Sequence, residues 1–280
     1  MRGVLVTGAT GTVGRHVVDG LRDAADVSVT AASRDPDRAR DRVRCPTVAF
    51  DFTDPTTYRD AFADVDSMFL VRPPALSRVR RDVRPSLDAA LDSGVEHVVF
   101  LSVVGADRIP LVPHARIESW LEAADAETTF LRASFFMQTL STTHREDVRD
   151  GRLAVPAGDG KTSLVDARDV AAVAVRTLRR DHTGTYDLTG PDALSYAEVC
   201  WQLSMVLDRD VEYVDPSLPR FVVSQYRRDV PVAKVAAMAA IYTTARLGLA
   251  DRVTDDVRSI LGRPPTDFLT FARDTRTAWT

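Results

Sequence analysis

Three glycines near the start of the chain have the spacing of a phosphate-binding turn between a strand and a helix. They follow the apolar residues 4–6 and precede apolar residues that recur at helical spacing. We expect Gly8 to permit the tight turn, Gly11 to let the backbone approach a pyrophosphate and Gly14 to let the helix pack against the strand. The amides at the helix start would bind the phosphates, and a purely structural turn is the alternative. The predicted phosphate-binding residues are Gly8, Thr10, Gly11, Thr12, Val13 and Gly14.

The residues after the second predicted strand, residues 27–32, indicate which cofactor binds. An acidic residue at this place accepts hydrogen bonds from the ribose of NAD, whereas an arginine accommodates the 2′-phosphate of NADP. Ser33 and Arg34 occupy it, about twenty residues after the glycine turn. The sequence therefore predicts a preference for NADP(H). Two alternatives stay open: Arg34 is solvated and pairs with Asp37, or Asp35 binds the ribose of NAD.

Further cofactor contacts are expected where the third and fourth strands end. In a doubly wound sheet the ligand lies across the carboxyl ends of the strands. Asp51 and Phe52 follow the third strand, and the carboxylate of Asp51 is predicted to accept from the adenine amino group, with a helix cap as the alternative. Asp54, which precedes a proline, is the stronger cap. The predicted contacts on the ribose and nicotinamide side are Val71, Arg72 and Pro73.

These side chains need a scaffold of alternating strands and helices. Five strand and helix units precede residue 102, including a continuous helix predicted over residues 78–93, and further strands are predicted at 128–132 and 185–188. This alternation predicts an α/β fold with a doubly wound parallel sheet, a Rossmann fold. After Ser195 and Glu198, which form a capping box, the chain becomes mainly helical. We predict a dinucleotide-binding domain over residues 1–190 and a smaller, mainly helical C-terminal lobe over residues 191–280.

Several stretches beyond the glycine turn resemble one family. They are Arg34-Asp35-Pro36, the helix from His114 to Glu118, Phe135-Phe136-Met137-Gln138, residues 165–171 and residues 188–191. Together they resemble the NmrA-like family of atypical short-chain dehydrogenase/reductases. The resemblance implies NAD(P)(H) binding, with Phe135 and Phe136 against the nicotinamide, although aromatic residues there could also belong to the core.

The resemblance also indicates where catalysis would take place. In short-chain dehydrogenases, a serine just after the fifth strand polarises the substrate carbonyl, and a Tyr-x-x-x-Lys on the next helix supplies the proton. Ser102 has the position of that serine, so we consider it as a catalytic and a cofactor-binding residue; a hydrogen bond to the backbone is the alternative. The next helix contains neither tyrosine nor lysine around His114. The usual proton donor is therefore missing from this stretch.

His114 is the second catalytic candidate. It precedes Glu118 by four residues, so both side chains would lie on one helix face. Pairing with a carboxylate would raise the pKa of the imidazole and keep a proton available near neutral pH. A polar pair without any proton transfer is the alternative.

Composition restricts the class of protein. A formal net charge of −4 and a pI near 5.8 provide no basic surface for nucleic acid, so no direct nucleic-acid binding is expected. The apolar runs are too short to span a membrane and Met1 leads directly into the first strand, so we expect a cytoplasmic protein without a membrane partner. The five histidines have no metal-ligand spacing, and Cys45 and Cys200 are not expected to form a disulfide.

Two functions are consistent with these features. The first is an NADPH-dependent oxidoreductase that transfers hydride to a quinone, enone or small carbonyl bound in a cleft between domain and lobe. Quinones need little help from an acid, which suits a site without the Tyr and Lys pair. The second is a non-catalytic NADP(H) redox sensor that acts through a protein partner, since the resembled family contains both kinds. A sugar-nucleotide epimerase is less favoured because those enzymes also use the Tyr and Lys pair.

Overall fold

The computed structural model describes residues 1–124, 126–180 and 183–280. The chain forms two compact units, and each is made of several segments. The first unit comprises Met1–Ala133, Ala167–Leu188 and Ser259–Gly262. The second unit comprises Ser134–Asp166, Thr189–Arg258 and Arg263–Thr280. The predicted single boundary near residue 190 therefore differs from the observed division, because residues 134–166 pack into the core of the second unit.

The secondary structure of the described residues is as follows. The strands are β1 (Arg2–Val6), β2 (Val27–Ser33), β3 (Thr47–Ala49), β4 (Ser67–Leu70), β5 (His97–Val103), β6 (Glu127–Ala133), β7 (Phe135–Phe136), β8 (Arg152–Ala154), β9 (Lys161–Val165), β10 (Gly184–Leu188), β11 (Ala193–Ser195) and β12 (Glu212–Val214). The helices are α1 (Gly14–Arg22), α2 (Pro36–Arg40), α3 (Tyr58–Ala61), α4 (Val79–Asp82), α5 (Arg84–Asp92), α6 (Pro113–Glu122), α7 (Gln138–Thr142), α8 (Arg145–Arg149), α9 (Ala167–Arg180), α10 (Tyr196–Leu207), α11 (Leu218–Tyr226), α12 (Val232–Arg246), α13 (Asp256–Leu261) and α14 (Phe268–Asp274). Short 3-10 helices cover Pro55–Thr57 and Arg276–Ala278.

The first unit contains a seven-stranded sheet in the order β10-β6-β5-β4-β1-β2-β3. Every neighbouring pair of strands is parallel. The chain winds outward in one direction from β1 to β3 and in the other direction from β4 to β6, so the order of strands reverses between β1 and β4. The predicted doubly wound fold is confirmed. Ligands of such sheets bind at this reversal, outside the carboxyl ends of the strands.

The central strands are apolar along their length because helices cover both faces of a parallel sheet. Val4, Leu5 and Val6 of β1 are at most 1% exposed, and Phe69 and Leu70 of β4 are fully buried. These strands fix the positions of the turns that follow them. The site described below is built from those turns.

The predicted continuous helix over residues 78–93 is wrong. The chain forms α4 and α5 instead, and Val83 lies between them. Pro85 is in the first turn of α5, where its missing N–H removes no helical hydrogen bond, whereas inside a longer helix it would remove one. The break therefore follows from the proline.

The second unit packs its helices around short strands. β7, β9 and β11 form one small sheet in the order β11-β9-β7, and β8 pairs with β12 in another. Tyr242 of α12 lies in the core and contacts the rings of Tyr196, Phe221 and Phe135 at centroid distances of 5.6, 5.6 and 6.2 Å. Tyr242 is only 1% exposed, which agrees with a place in the core.

Several local features of the described residues bear on function. Ser195 and Glu198 form the predicted capping box at the start of α10. Cys45 and Cys200 are free thiols, and they belong to different units. In the described ranges, no helix is long and apolar enough to cross a membrane, and no cluster of His, Cys, Asp or Glu could hold a metal ion.

Candidate cofactor site

A cavity of about 600 Å³ lies at the carboxyl ends of β1 to β4 in the first unit. It is lined by the glycine turn, by the start of α2 and by the segments that follow β3 and β4. The predicted cofactor residues that line it are Gly8, Thr10, Gly11, Ser33, Arg34, Asp51, Phe52, Val71, Arg72 and Pro73. Ten of the predicted cofactor residues therefore line one cavity, and their contacts with a cofactor stay predictions.

The backbone geometry of the glycine turn favours glycine at two positions. Gly8 has a φ of +61°, which other residues rarely adopt. A Cβ at Gly14 would lie 2.2 Å from the carbonyl oxygen of Gly8, so only glycine lets α1 begin this close to the turn. Thr7 fixes the turn against β4, since its Oγ1 accepts from the amide of Val71 at 2.7 Å and donates to the carbonyl of Phe69 at 3.0 Å.

No side chain caps the start of α1, whose N-cap residue is Val13. Two of its first-turn amides have backbone partners, since Arg15 donates to the carbonyl of Gly11 at 3.3 Å and His16 to that of Val13 at 2.9 Å. Binding of a pyrophosphate at this helix start stays a prediction. Val13 and Gly14 are buried behind the turn, and neither they nor Thr12 is part of the cavity wall. Their contribution to cofactor binding stays a prediction.

Three arginines line one end of the cavity. They are Arg34 after β2, Arg38 in α2 and Arg42 just beyond it, spaced four residues apart. All three are exposed, and within the described part of the chain none of them forms an ion pair. Arg38 and Arg42 were not among the predicted residues, although their helical spacing from Arg34 was a usable indication. A cluster of guanidinium groups at this place suits a 2′-phosphate.

The acidic residues beside Arg34 have other partners. The Asp35 carboxylate caps α2 by accepting from the amide of Arg38 at 3.0 Å. Asp37 pairs with Arg40 at 3.3 Å and not with Arg34. The alternative in which Arg34 pairs with Asp37 is therefore wrong. Because Asp35 is engaged at the helix start, its alternative role as a ribose ligand loses support.

Asp51, which follows β3, also lines the cavity. Its Oδ1 accepts from the amide and the hydroxyl of Thr53 at 2.8 and 2.7 Å, which forms a local turn. The following helix is capped by Asp54, which accepts from the amide of Thr56 at 3.0 Å. Asp51 is therefore not the helix cap. The rings of Phe50 and Phe52, 4.9 Å apart, form the adjacent apolar wall.

Arg72 contributes a polar group that lacks a protein partner. Its Nη1 donates to the carbonyls of Pro73, Pro74 and Leu76 at 2.8, 3.2 and 3.0 Å, which shapes the loop after β4. Its Nε is buried and has no hydrogen-bond partner among the residues that the structure describes. Burial also lowers the pKa of Arg72. A buried donor without a partner in the wall of a ligand cavity fits an acceptor atom of a bound cofactor.

A model of the NmrA-like family matches residues 2–247. The chain belongs to the NmrA-like family. An NAD(P)H azoreductase from Xenophilus azovorans is 35% identical over 282 residues, which cover 96% of each protein. Among solved structures, the NADPH-dependent quinone oxidoreductase of Escherichia coli complexed with NADPH has a TM-score of 0.88 at 22% identity and covers 98% of this chain and 99% of that one. Triphenylmethane reductase of Citrobacter sp. complexed with NADP(H) has a TM-score of 0.86 at 24% identity, with the same coverage.

The helix α6 of this NmrA-like chain does not contain the predicted ion pair. Glu118 accepts from Arg132 of β6, with Nη2 at 2.6 Å and Nε at 3.1 and 3.2 Å. The predicted pairing of His114 with Glu118 is therefore wrong. Instead, His114 stacks on the ring of Phe100 at a centroid distance of 5.9 Å. Burial first, and then the positive charge of Arg72, lower the pKa of His114 to about 4.

Ser102 of the NmrA-like chain lies within β5 and not after it. It is 2% exposed, pairs in register with Arg132 and does not line the cavity. Within the described ranges its hydroxyl has no hydrogen-bond partner, so the alternative of a bond to the backbone is not found. Its roles in catalysis and in cofactor binding stay predictions.

Phe135 and Phe136 form β7, which belongs to the second unit, whereas the residues of the cofactor cavity belong to the first. Phe135 packs against the core of its own unit. Their contact with a nicotinamide stays a prediction implied by the family.

Proposed function

We propose that the chain is an NADP(H)-dependent oxidoreductase that transfers hydride to a quinone, an enone or a small carbonyl. The observation that carries this proposal is the cavity at the carboxyl ends of β1 to β4, with a phosphate-binding glycine turn and three arginines that have no acidic partner in the described residues. Reductases among the relatives support it, since one relative is named an NAD(P)H azoreductase.

Different residues of the cavity bind different parts of the cofactor. The glycine turn before α1 takes the pyrophosphate, and Arg34 with its two neighbouring arginines takes the 2′-phosphate. Asp51 is placed to accept from the adenine amino group through the oxygen that Thr53 leaves free. Arg72 presents its buried Nε to the ribose and nicotinamide side. When bound, NADPH supplies the hydride.

The charge state of the nearby groups limits the substrate class. With a pKa of about 4, His114 is neutral at pH 7 and offers no imidazolium to protonate a developing alkoxide. A quinone accepts hydride to give a stabilised phenolate, which water protonates, so it needs no protein acid. Quinones are therefore the favoured acceptors within this proposal.

Hydride transfer is tested with the purified full-length chain. NADPH oxidation is followed by the loss of nicotinamide absorbance with quinones, enones, aldehydes and azo dyes, and NADH is run in parallel. We expect turnover to be fastest with quinones, and faster with NADPH than with NADH. Absence of turnover with every acceptor class would overturn the proposal that the chain is an oxidoreductase.

One observation favours the second candidate, a redox sensor that acts through a protein partner. Neither His114, which is neutral, nor Ser102, which lies outside the cavity, provides a proton donor beside the site. A sensor binds NADP⁺ and NADPH with different affinities and turns over neither. Calorimetric titrations with both forms, made beside the turnover assay, separate the two functions.

A further inference from the structure

A second cavity, of about 290 Å³, lies within the second unit. Its wall is formed by one side of α10, by the start of α14 and by the segment before β11. Most of the wall is apolar and includes Met137, Leu164, Leu194 and Phe268. All of its lining residues belong to the second unit, and none of them lines the cofactor cavity.

Two large side chains of α10 stand at the mouth of this cavity. Trp201 is 63% exposed and Met205, one turn later on the same helix face, is 51% exposed. The opposite face of α10 provides Cys200 and Leu203 to the core. An indole ring exposed beside an apolar cavity offers its face to a ligand.

The charge of the wall has one sign. Its charged residues are Asp192 and Asp267, and within the described part of the chain no cation pairs with either carboxylate. Asp267 caps α14 by accepting from the amide of Thr270 at 2.7 Å, so its charge is fixed in place. Both residues are exposed, so they attract a cation as surface charges, and salt screens that attraction.

We propose that this cavity binds a small planar organic cation, such as a quaternised aromatic amine. The aromatic plane lies in the apolar pocket, the positive charge faces the indole of Trp201, and Asp192 neutralises it. Met205 and Met137 supply polarisable contacts with the ring edge. The site is a binding site in addition to the proposed cofactor site.

The charges also argue against self-association through this face. A two-fold symmetric contact between two copies would bring the same patch of each copy together. The two carboxylates of one patch would then lie near the two carboxylates of the other, and like charges at such a contact oppose binding. An anionic ligand is disfavoured for the same reason.

The test uses the full-length chain and N-methylquinolinium as the probe, measured by isothermal titration calorimetry. Neutral quinoline and anionic naphthalene-2-sulfonate are the matched ligands. We expect saturable binding of one cation per chain, about tenfold tighter than quinoline, and no binding of the sulfonate. Binding should weaken as salt is added, because salt screens the attraction of the carboxylates.

Three variants locate the site, and a fourth is the control. Trp201→Leu keeps an apolar side chain without an aromatic face and should weaken the binding of the cation about tenfold. Trp201→Phe should change the affinity for the cation by less than about threefold. Asp192→Asn should weaken it about threefold, and Asp251→Asn, an exposed aspartate outside this cavity, should leave it unchanged. Equal affinity for the cation and quinoline, or full affinity in Trp201→Leu, overturns the proposal. So does a dimer that Trp201→Leu converts to a monomer, since the face would then be a subunit contact. NADPH titrations of the same variants report on the cofactor site separately.

Discussion

The guanidinium of Arg132 on β6 binds the carboxylate of Glu118 on α6, with 2.6 Å between Nη2 and Oε2. The Glu118 side chain is 4% exposed and that of Arg132 is 14% exposed. Arg132 also lies 3.5 Å from Asp107, in the loop after β5. One largely buried cation therefore holds α6 and this loop against the sheet, and it binds the carboxylate that was predicted to pair with His114.

Removal of Glu118 should be strongly destabilising. Glu118→Ala leaves the largely buried guanidinium of Arg132 with the more distant Asp107 and the electrostatic attraction of Asp187, so we expect a loss of about 3 kcal/mol in the free energy of unfolding. Urea denaturation measures it. The matched control is Asp88→Ala, which removes an exposed pair with Arg84 at 3.3 Å and should change stability by less than about 0.5 kcal/mol. Equal effects of the two variants would contradict the buried pair.

The depressed pKa of His114 makes stability depend on pH. The folded protein releases the imidazole proton at about pH 4 and the unfolded chain near the ordinary value of 6.5. Between these values the unfolded chain binds a proton at His114 that the folded protein does not bind. The stability that depends on a neutral His114 is therefore fully present above about pH 6.5 and is lost as the pH falls towards 4. His114→Gln, which never gains a charge, should lose less stability than the wild type between pH 7 and pH 5 in urea denaturation.

His114 should also be dispensable for turnover. A neutral imidazole donates no proton efficiently near pH 7, so His114→Gln should keep kcat within about threefold of the wild type between pH 6.5 and 8. The measurement is NADPH oxidation with the best acceptor found in the panel. A fall of about 100-fold in kcat, with a changed pH profile, would restore His114 as a general acid.

Arg34 should select between the two nicotinamide cofactors. Arg34→Glu places a negative charge beside the 2′-phosphate. It should weaken the binding of NADPH by about tenfold or more and change the affinity for NADH by less than about threefold. Calorimetric titration with both cofactors measures this difference. Arg44→Glu makes the same charge change at an exposed residue outside the cavity. If Arg44→Glu weakens NADPH as much as Arg34→Glu does, a general field and not a contact explains the effect.

The close approach of α1 to the glycine turn should be essential for cofactor binding. Gly14→Ala puts a methyl group 2.2 Å from the carbonyl oxygen of Gly8, and we expect NADPH to bind about tenfold more weakly as the helix start moves away. Gly94→Ala is the control: it has a φ of +98° and no atom within 4 Å of the added Cβ. It should cost about 1 kcal/mol of stability and leave NADPH affinity unchanged. If Gly14→Ala lowers stability without lowering the affinity for NADPH, the predicted role of the turn in cofactor binding is contradicted.

Features with short-range causes were predictable from the sequence. The strand, turn and helix around Gly8, the cap at Asp54 and the capping box of Ser195 with Glu198 each depend on residues a few positions apart. The break before Pro85 belongs to the same class, and the sequence contained its cause. Parallel strands also followed from the alternation of elements.

Features with long-range causes were not predictable from one sequence. Helical spacing suggested that Glu118 pairs with His114, but its partner Arg132 is a neighbour only after β6 joins the sheet. Helical spacing likewise could not show that α6 buries His114 against Phe100, which reverses the direction of the pKa shift. The assignment of residues 134–166 to the second unit depends on which core they fill, and composition does not reveal it.

The interleaved order of the two units has a consequence for synthesis of the protein. The outer edge of the seven-residue strand β6 is covered only by β10, which belongs to a later segment of the chain. On the ribosome β6 emerges first, and the intervening segment, about 50 residues long, takes several seconds to follow at roughly 5–20 residues per second. During that interval the nascent sheet presents an open edge, and open edges recruit strands from other chains. The rate of translation between β6 and β10 therefore sets how long each new molecule is exposed to misassociation.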